Sequence, residues 1–411
     1  DIKEGSLMLH FRVEFLERIS TRMPPNLDQA SNQTRFSASI GSLILRNSNK
    51  FLYSVASIAF LILLCIPMNE LDENPTQMYD EGFTTFSSDT LWLDEKLSVT
   101  FPVNFLATNN EGQVSDPEFL EILDNFSIWL SEREQVNHVT SLANNMKSLN
   151  KSMHGDDPEW KKIPDNSDLS AQYLFFYEMS LPMGLDLNSS ISQDRKSTKV
   201  SATLKDMSAN EFKDFNSEVL KYLKQNKLES TISEPSSFRV IFTYMVEAIV
   251  NSLLYGLFIG ILLITLIIGL FFRSYLLPAI SIFPNILPIA IGFGLWGLFV
   301  GNVGFMVAIG MGSTLGVIVD FTVHFLSKYE LARKQMKKSV EDSINYSFET
   351  IGFALIIMTV VLVLGFSVLN LVTFIPIQDF AKFSVICFTA GLIINFLLLP
   401  NLLVKFDRRI F

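Results

Sequence analysis

Six windows of roughly twenty residues, each carrying no more than two charged side chains, constrain this 411-residue chain more than any other feature. About 20 apolar helical residues cross the hydrocarbon of a bilayer, whereas a surface helix of a water-soluble protein keeps a charged face. The windows are Phe51 to Pro67, Met245 to Phe272, Leu277 to Val300, Val303 to Phe325, Tyr346 to Leu369 and Ile377 to Val404. They predict a membrane α-helical bundle of six transmembrane helices. The average composition, 49% hydrophobic, conceals this because one long polar segment is averaged with the windows. The second and sixth windows exceed the required length, which predicts tilt or ends that protrude.

Orientation follows from lysine and arginine in the flanks, because basic residues resist translocation. Arg35, Arg46 and Lys50 precede the first window and Arg273 follows the second. Lys328, Arg333, Lys334, Lys337 and Lys338 lie between the fourth and fifth, and Lys405, Arg408 and Arg409 follow the last. The opposite connections, 301–302 and 370–376, hold no basic residue. Both termini are therefore expected in the cytoplasm, and residues 68–244 outside it, in a multi-pass protein of the cell inner (plasma) membrane. The first residue is Asp1 and no signal-peptide pattern follows, which predicts a chain that starts within a longer one or was cut. Residues 1–50 read as a cytoplasmic linker with an amphipathic surface helix at Phe36 to Arg46, and residues 405–411 as a tail.

Segment 68–244 is acidic, with 29 acidic against 15 basic side chains, a balance that argues against a nucleic-acid partner. Strand-like alternation at Leu97 to Ala107, Val136 to Leu142 and Lys199 to Leu204 is interleaved with helical periods. The helices are expected at Asp116 to Glu134, opened by Ser115, Asp116 and Pro117, at Ser167 to Met179, and after Ser208. Asn150 to Asp168 reads as a loop. The order predicts an inserted α+β layer with helices on one face of a sheet. His138 and His154 stand without metal-ligand spacing, Cys65 and Cys387 both lie in apolar windows, and no nucleophile, base and orienting group can be assembled. No enzyme activity, cofactor or metal is expected.

An ionisable side chain in the middle of a span costs several kcal/mol unless it is paired or wetted, so it marks function. Asp320 is the acid deepest inside a window. Helical spacing sets Ser313, Gly316, Asp320 and His324 on one face, a stripe suited to protein or water and not to lipid. Desolvation would raise the affinity of Asp320 for a proton, and His324, one turn nearer the cytoplasm, could relay it. Thr359, Thr389 and Asn395 are candidate hydrogen-bond partners across the bundle. Pro278, Pro284 and Pro288 punctuate the third window, which suits either a moving helix or a fixed bend. Glu247, Glu349, Asp379 and Lys382 lie near window ends and read as interfacial anchors.

Phe272-Arg273-Ser274 before the proline-rich window, Gly294-Leu-Trp-Gly297, Gly316-Val-Ile-Val-Asp320 with His324, Gly365-Phe366 and Leu399-Pro400 together resemble one half of a resistance-nodulation-division (RND) superfamily transporter. The resemblance covers residues 245–404 and is nearest to the lipid-exporter-like branch with the mycobacterial large membrane proteins, the hopanoid exporters and Patched-like proteins. It implies that Gly316 and Asp320 form the family's GxxxD element, whose acid relays a proton or cation. Many relatives place Tyr or Asp directly after that acid, where this chain has Phe321. The resemblance further implies a porter-like external domain, a second six-helix half in the same chain or a separate subunit, a lipid-like small molecule as substrate, and periplasmic or membrane accessory proteins as partners. The chain is then expected to be the C-terminal half, or a half-size protein that pairs. The expected function is secondary transport of a hydrophobic or amphiphilic substrate driven by the proton-motive force, as export or lipid trafficking. Two alternatives stay open: coupling to sodium, and a nontransporting lipid-sensing or scaffold subunit of the same fold.

Overall fold

A computed structural model describes residues 32–73, 78–79, 85–97, 101–182 and 186–410. The expected linker before residue 32 and the start of the first strand signal, at 98–100, lie outside the described residues. Six helices are long and apolar enough to cross a membrane among these residues. They are α2 (Ser48–Leu63), α8 (Phe238–Phe272), α9 (Leu276–Phe299), α10 (Phe305–Lys334), the pair α11 (Val340–Ser347) and α12 (Phe353–Val368), and α13 (Ile375–Leu397). The chain is thus a membrane helical bundle with an inserted α+β domain.

Several expected boundaries move for identifiable reasons. The fourth span does not end at Phe325, because Phe325, Leu326, Tyr329 and Ala332 continue the helical period and are buried. Lys328, Arg333 and Lys334 consequently sit on a helix and not in a loop. The second span begins at Phe238, seven residues before Met245, with Ser237 accepting from Val240 N as its cap. The sixth span divides at Leu398, since α14 (Leu399–Ile410) restarts with Pro400 in its first turn. In the third span Pro284 and Pro288 are accommodated within one helix. A π-helical turn, Phe348–Gly352, joins α11 to α12.

Helices α9, α10 and α13 form the buried centre, while α2, α8 and much of α12 present apolar side chains outward. Close approach of α2 to α9 depends on two glycines. A methyl group at Gly294 would lie 2.3 Å from the Ile62 carbonyl oxygen, and one at Gly297 would lie 2.4 Å from that of Cys65. Helix α1 (Asn32–Arg46) is more than a surface helix: Ile44 is buried against the bundle, and Gly41 sits on the Phe348 ring.

In the inserted domain, β1 (Phe101–Thr108), β2 (Val136–Thr140) and β3 (Ser197–Leu204) form an antiparallel sheet in the order β1-β3-β2. The free edge of β1 is covered by the returning chain, with Asn104 and Ser236 exchanging backbone bonds of 3.0 and 2.8 Å. Val103, Phe105, Val200 and Ala202 point from the sheet into one core with Leu123 and Phe126 of α4 (Pro117–Ser131) and Phe212 and Phe215 of α7 (Ala209–Gln225). Ser208 and Glu211 form a reciprocal capping box on α7. Asp116, expected to cap α4, closes the preceding loop by accepting from Gln113 N at 2.8 Å and Asn109 Nδ2 at 3.0 Å. Two helices add to the expected set, α3 (Phe86–Leu97) and α5 (Leu142–Met153) capped by Ser141, and a short turn at Pro158–Trp160 falls inside the expected loop. Helix α6 is Ser167–Ser180.

Candidate functional site

Helix α10 has two unlike faces because its sequence does. Met311, Leu315, Ile318, Phe321 and Phe325 are buried against neighbouring helices, while Gly312, Ser313, Gly316 and His324 stay open and Asp320 is partly exposed. A methyl group at Gly312 or Gly316 would meet no atom within 4 Å. Phe321, next to Asp320, turns inward and is fully buried, so it cannot share the outer face with the acid.

Asp320 Oδ1 and His324 Nε2 lie 3.2 Å apart, one turn along the helix, with their side chains 45% and 54% exposed. At this distance the two groups are within hydrogen-bond reach, and they form an ion pair when the imidazole is protonated. Ser313 Oγ donates to the Gly310 carbonyl at 3.0 Å. It lies seven residues before Asp320, about 10 Å along the axis, so it shares the face without touching the acid.

The other expected partners divide. Thr359 Oγ1 donates to Leu355 O at 2.9 Å and Thr389 Oγ1 to Val385 O at 2.8 Å, each within its own helix. Neither bonds across the bundle. Asn395 does, but to the interior: Thr322 Oγ1 lies 2.8 Å from Asn395 Oδ1 and 2.7 Å from Asn285 Oδ1, and all three residues are buried. A hydroxyl has one proton. Asn395 Nδ2 is committed to Gly391 O at 3.0 Å, so Thr322 donates to Asn395 and receives from an Asn285 amide turned to present its nitrogen. This triad ties α9, α10 and α13 together. Thr322 is two residues beyond Asp320, about 200° around the helix, so the triad faces away from the acid. Asn285 carried a readable signal, a primary amide inside an apolar window, which is costly unless bonded.

Two further polar clusters bound α10. At the end away from the inserted domain, Asp407 is buried and accepts from Tyr329 Oη at 2.6 Å and from Arg333 Nε and Nη2 at 3.0 and 2.7 Å. At the domain end, Glu73 Oε2 accepts from Phe305 N at 2.8 Å, in the space left by Gly304. Burial pushes the Glu73 carboxyl up to about 7; the Phe305 bond opposes that shift, and the charges of Asp379 and Asp72 add to it. Glu247, read as an anchor, pairs with Lys213 of α7 at 2.7 Å, and Asp379 pairs with Lys382 at 3.3 Å. No group of three or more His, Cys, Asp or Glu side chains suited to a metal ion occurs among the described residues.

The sequence model of the MMPL family matches residues 117–409, from α4 of the inserted domain through the last helix. No curated protein matches the chain.

Proposed function

The chain belongs to the MMPL family of RND-superfamily membrane transporters, and on that premise we propose that it is one six-helix half of a secondary transporter, driven by the proton-motive force, for hydrophobic or amphiphilic, lipid-like substrates. Asp320 is the proton-carrying group and His324 its immediate partner. The observation that carries this reading is a half-exposed carboxyl on the open, glycine-lined face of a helix that otherwise packs tightly. A charged residue facing lipid at mid-span costs about 2.5–3.5 kcal/mol on insertion scales and more in other treatments. A second six-helix half lying on this face would replace lipid with protein and water, and would let the carboxyl titrate.

Arg273 closes α8, and Lys328, Arg333 and Lys334 lie in the last turns of α10, so the basic residues gather at the bundle end opposite the inserted domain. That distribution supports cytoplasmic termini and an extracytoplasmic, porter-like domain. Moving one charge through 100 mV supplies about 2.3 kcal/mol, so more than one proton per cycle is within the energy needed to move a lipid-like molecule. The test is substrate-coupled proton flux in proteoliposomes holding the complete transporter, wild type beside Asp320→Asn at matched folding. Flux lost only in the variant is the expected result. Equal flux in both would remove Asp320 from the mechanism, and no flux in either would favour a sensing or scaffold subunit.

A further inference from the structure

Between the first span and the inserted domain runs a short strap, residues 69–73, whose contacts reach two bodies at once. Asn69 Nδ2 donates to Phe293 O at 2.9 Å, Glu70 N to Gly301 O at 2.8 Å, and Val303 N to Glu70 O at 2.8 Å, so the strap is stitched to α9 and to the turn between α9 and α10. The next two residues diverge. Asp72 Oδ1 accepts from Ala209 N at 3.0 Å, the first residue of α7 in the domain. Glu73 Oε2 accepts from Phe305 N at 2.8 Å, the first residue of α10 in the bundle. Adjacent acidic side chains therefore hold the N-termini of a domain helix and of the helix that bears Asp320, each satisfying through a carboxyl oxygen an amide that its own helix leaves unbonded. Gly304 at the α10 cap has no side chain to do this, and its missing Cβ is what admits Glu73.

The surroundings make ionisation of Glu73 costly. Asp72 stands beside it on the strap and Asp379 faces it from α13, paired with Lys382. Glu73 also lines a small cavity with Lys213 of α7 and Glu247 of α8, and those two are bound to each other. Arg239 lies close to Asp72 and Asp206 and donates to Met207 O, so it offers its charge to the other side of the strap. Partial burial and two nearby carboxylates thus outweigh the one amide that favours the anion.

We propose that the strap is a proton-operated latch between the inserted domain and α10, docked while Glu73 carries a proton and released when Glu73 is ionised. The sign follows from linkage. In the docked strap the Glu73 carboxyl sits at about 7, against 4.5 in water, so docking takes up a proton and is favoured at lower pH. Between pH 6 and pH 8 the docking equilibrium falls about tenfold. On the transport reading given above, an acidic domain side would keep the domain engaged with the Asp320 helix, and loss of that proton would free it. The latch rests on that reading only for this consequence.

Hydrogen exchange in the complete transporter, read at the first turns of α10 and α7 and corrected for intrinsic rates, tests the latch without requiring transport. Wild type is expected to lose about tenfold protection at Phe305 and Ala209 from pH 6 to pH 8. Glu73→Gln keeps an acceptor for Phe305 N–H but cannot ionise, so its protection should stay high at both pH values. Glu73→Ala should be low at both. Wild-type protection that does not change with pH, or a Glu73→Gln variant as pH-dependent as wild type, would overturn the proposal. Failure of the Asp320→Asn flux test alone would leave it standing.

Discussion

Two glycines of the bundle, alike in chemistry, should respond in opposite ways to added bulk. A methyl group at Gly294 would sit 2.3 Å from the Ile62 carbonyl oxygen and 2.6 Å from Ile62 Cγ2, and backbone cannot swing aside as a side-chain end can. Gly294→Ala is therefore expected to cost about 1–3 kcal/mol through overpacking. At Gly316 the same methyl group meets nothing within 4 Å, so replacement should be neutral or gain roughly 0.5–1 kcal/mol from helix propensity. A large side chain there should nevertheless block a second six-helix half from reaching Asp320. Gly316→Leu is accordingly predicted to keep the thermal midpoint of the purified protein while abolishing substrate-coupled proton flux, whereas Gly294→Ala lowers the midpoint. The assay pairs thermal unfolding of this chain in detergent with flux in proteoliposomes holding the complete transporter. A stable Gly316→Leu protein with undiminished flux would show that nothing needs to cover this face, and the reasoning would fail.

Other expectations follow from the polar clusters. Asp407→Ala removes the buried acceptor shared by Tyr329 and Arg333, while Arg333 keeps its bond to Lys338 O and some exposure, and should cost about 1–3 kcal/mol in denaturant unfolding; a loss below about 0.5 kcal/mol would mean that the cluster is solvated. Thr322→Val removes the one hydroxyl that links Asn285 to Asn395 and should destabilise by about 1–3 kcal/mol, while Thr322→Ser should not; equal stability of the two variants would contradict the assigned bonding. Because the Asp320–His324 pair is half exposed, His324→Gln should change flux only about twofold, as expected for an i,i+4 pair worth roughly 0.2–0.5 kcal/mol, and abolished flux would make His324 obligatory.

The membrane helices were legible because each needs a run of side chains without charge, and such runs are visible one residue at a time. Their ends were harder to read, since Tyr329 and Ala332 continue the buried period of α10 among charged neighbours that resemble a loop. In the domain, α5 carries Leu142, Met146, Leu149 and Met153 at helical spacing, but it follows β2 with only Ser141 between them and runs into the polar stretch that reads as a loop, which masks the period. Asp320 could be picked out on cost alone, being an acid deep in an apolar window. The Thr322 triad draws its members from three helices, and no spacing along one segment announces it. Glu73 is one acid among many in an acidic segment, and only the fold sets it against the first amide of α10.

The contact of α2 with α9 through bare backbone has a mechanical meaning. With the Ile62 carbonyl against Gly294 and the Cys65 carbonyl against Gly297, the two backbones touch beyond the side-chain layer of Ala59, Val55, Leu287 and Ile291, and a slip of one residue would drive a carbonyl into a Cβ. These two helices behave as a single beam. A working cycle that rearranges the bundle must leave the beam whole and move other helices past it, so the first span serves as the fixed post from which the inserted domain is hung.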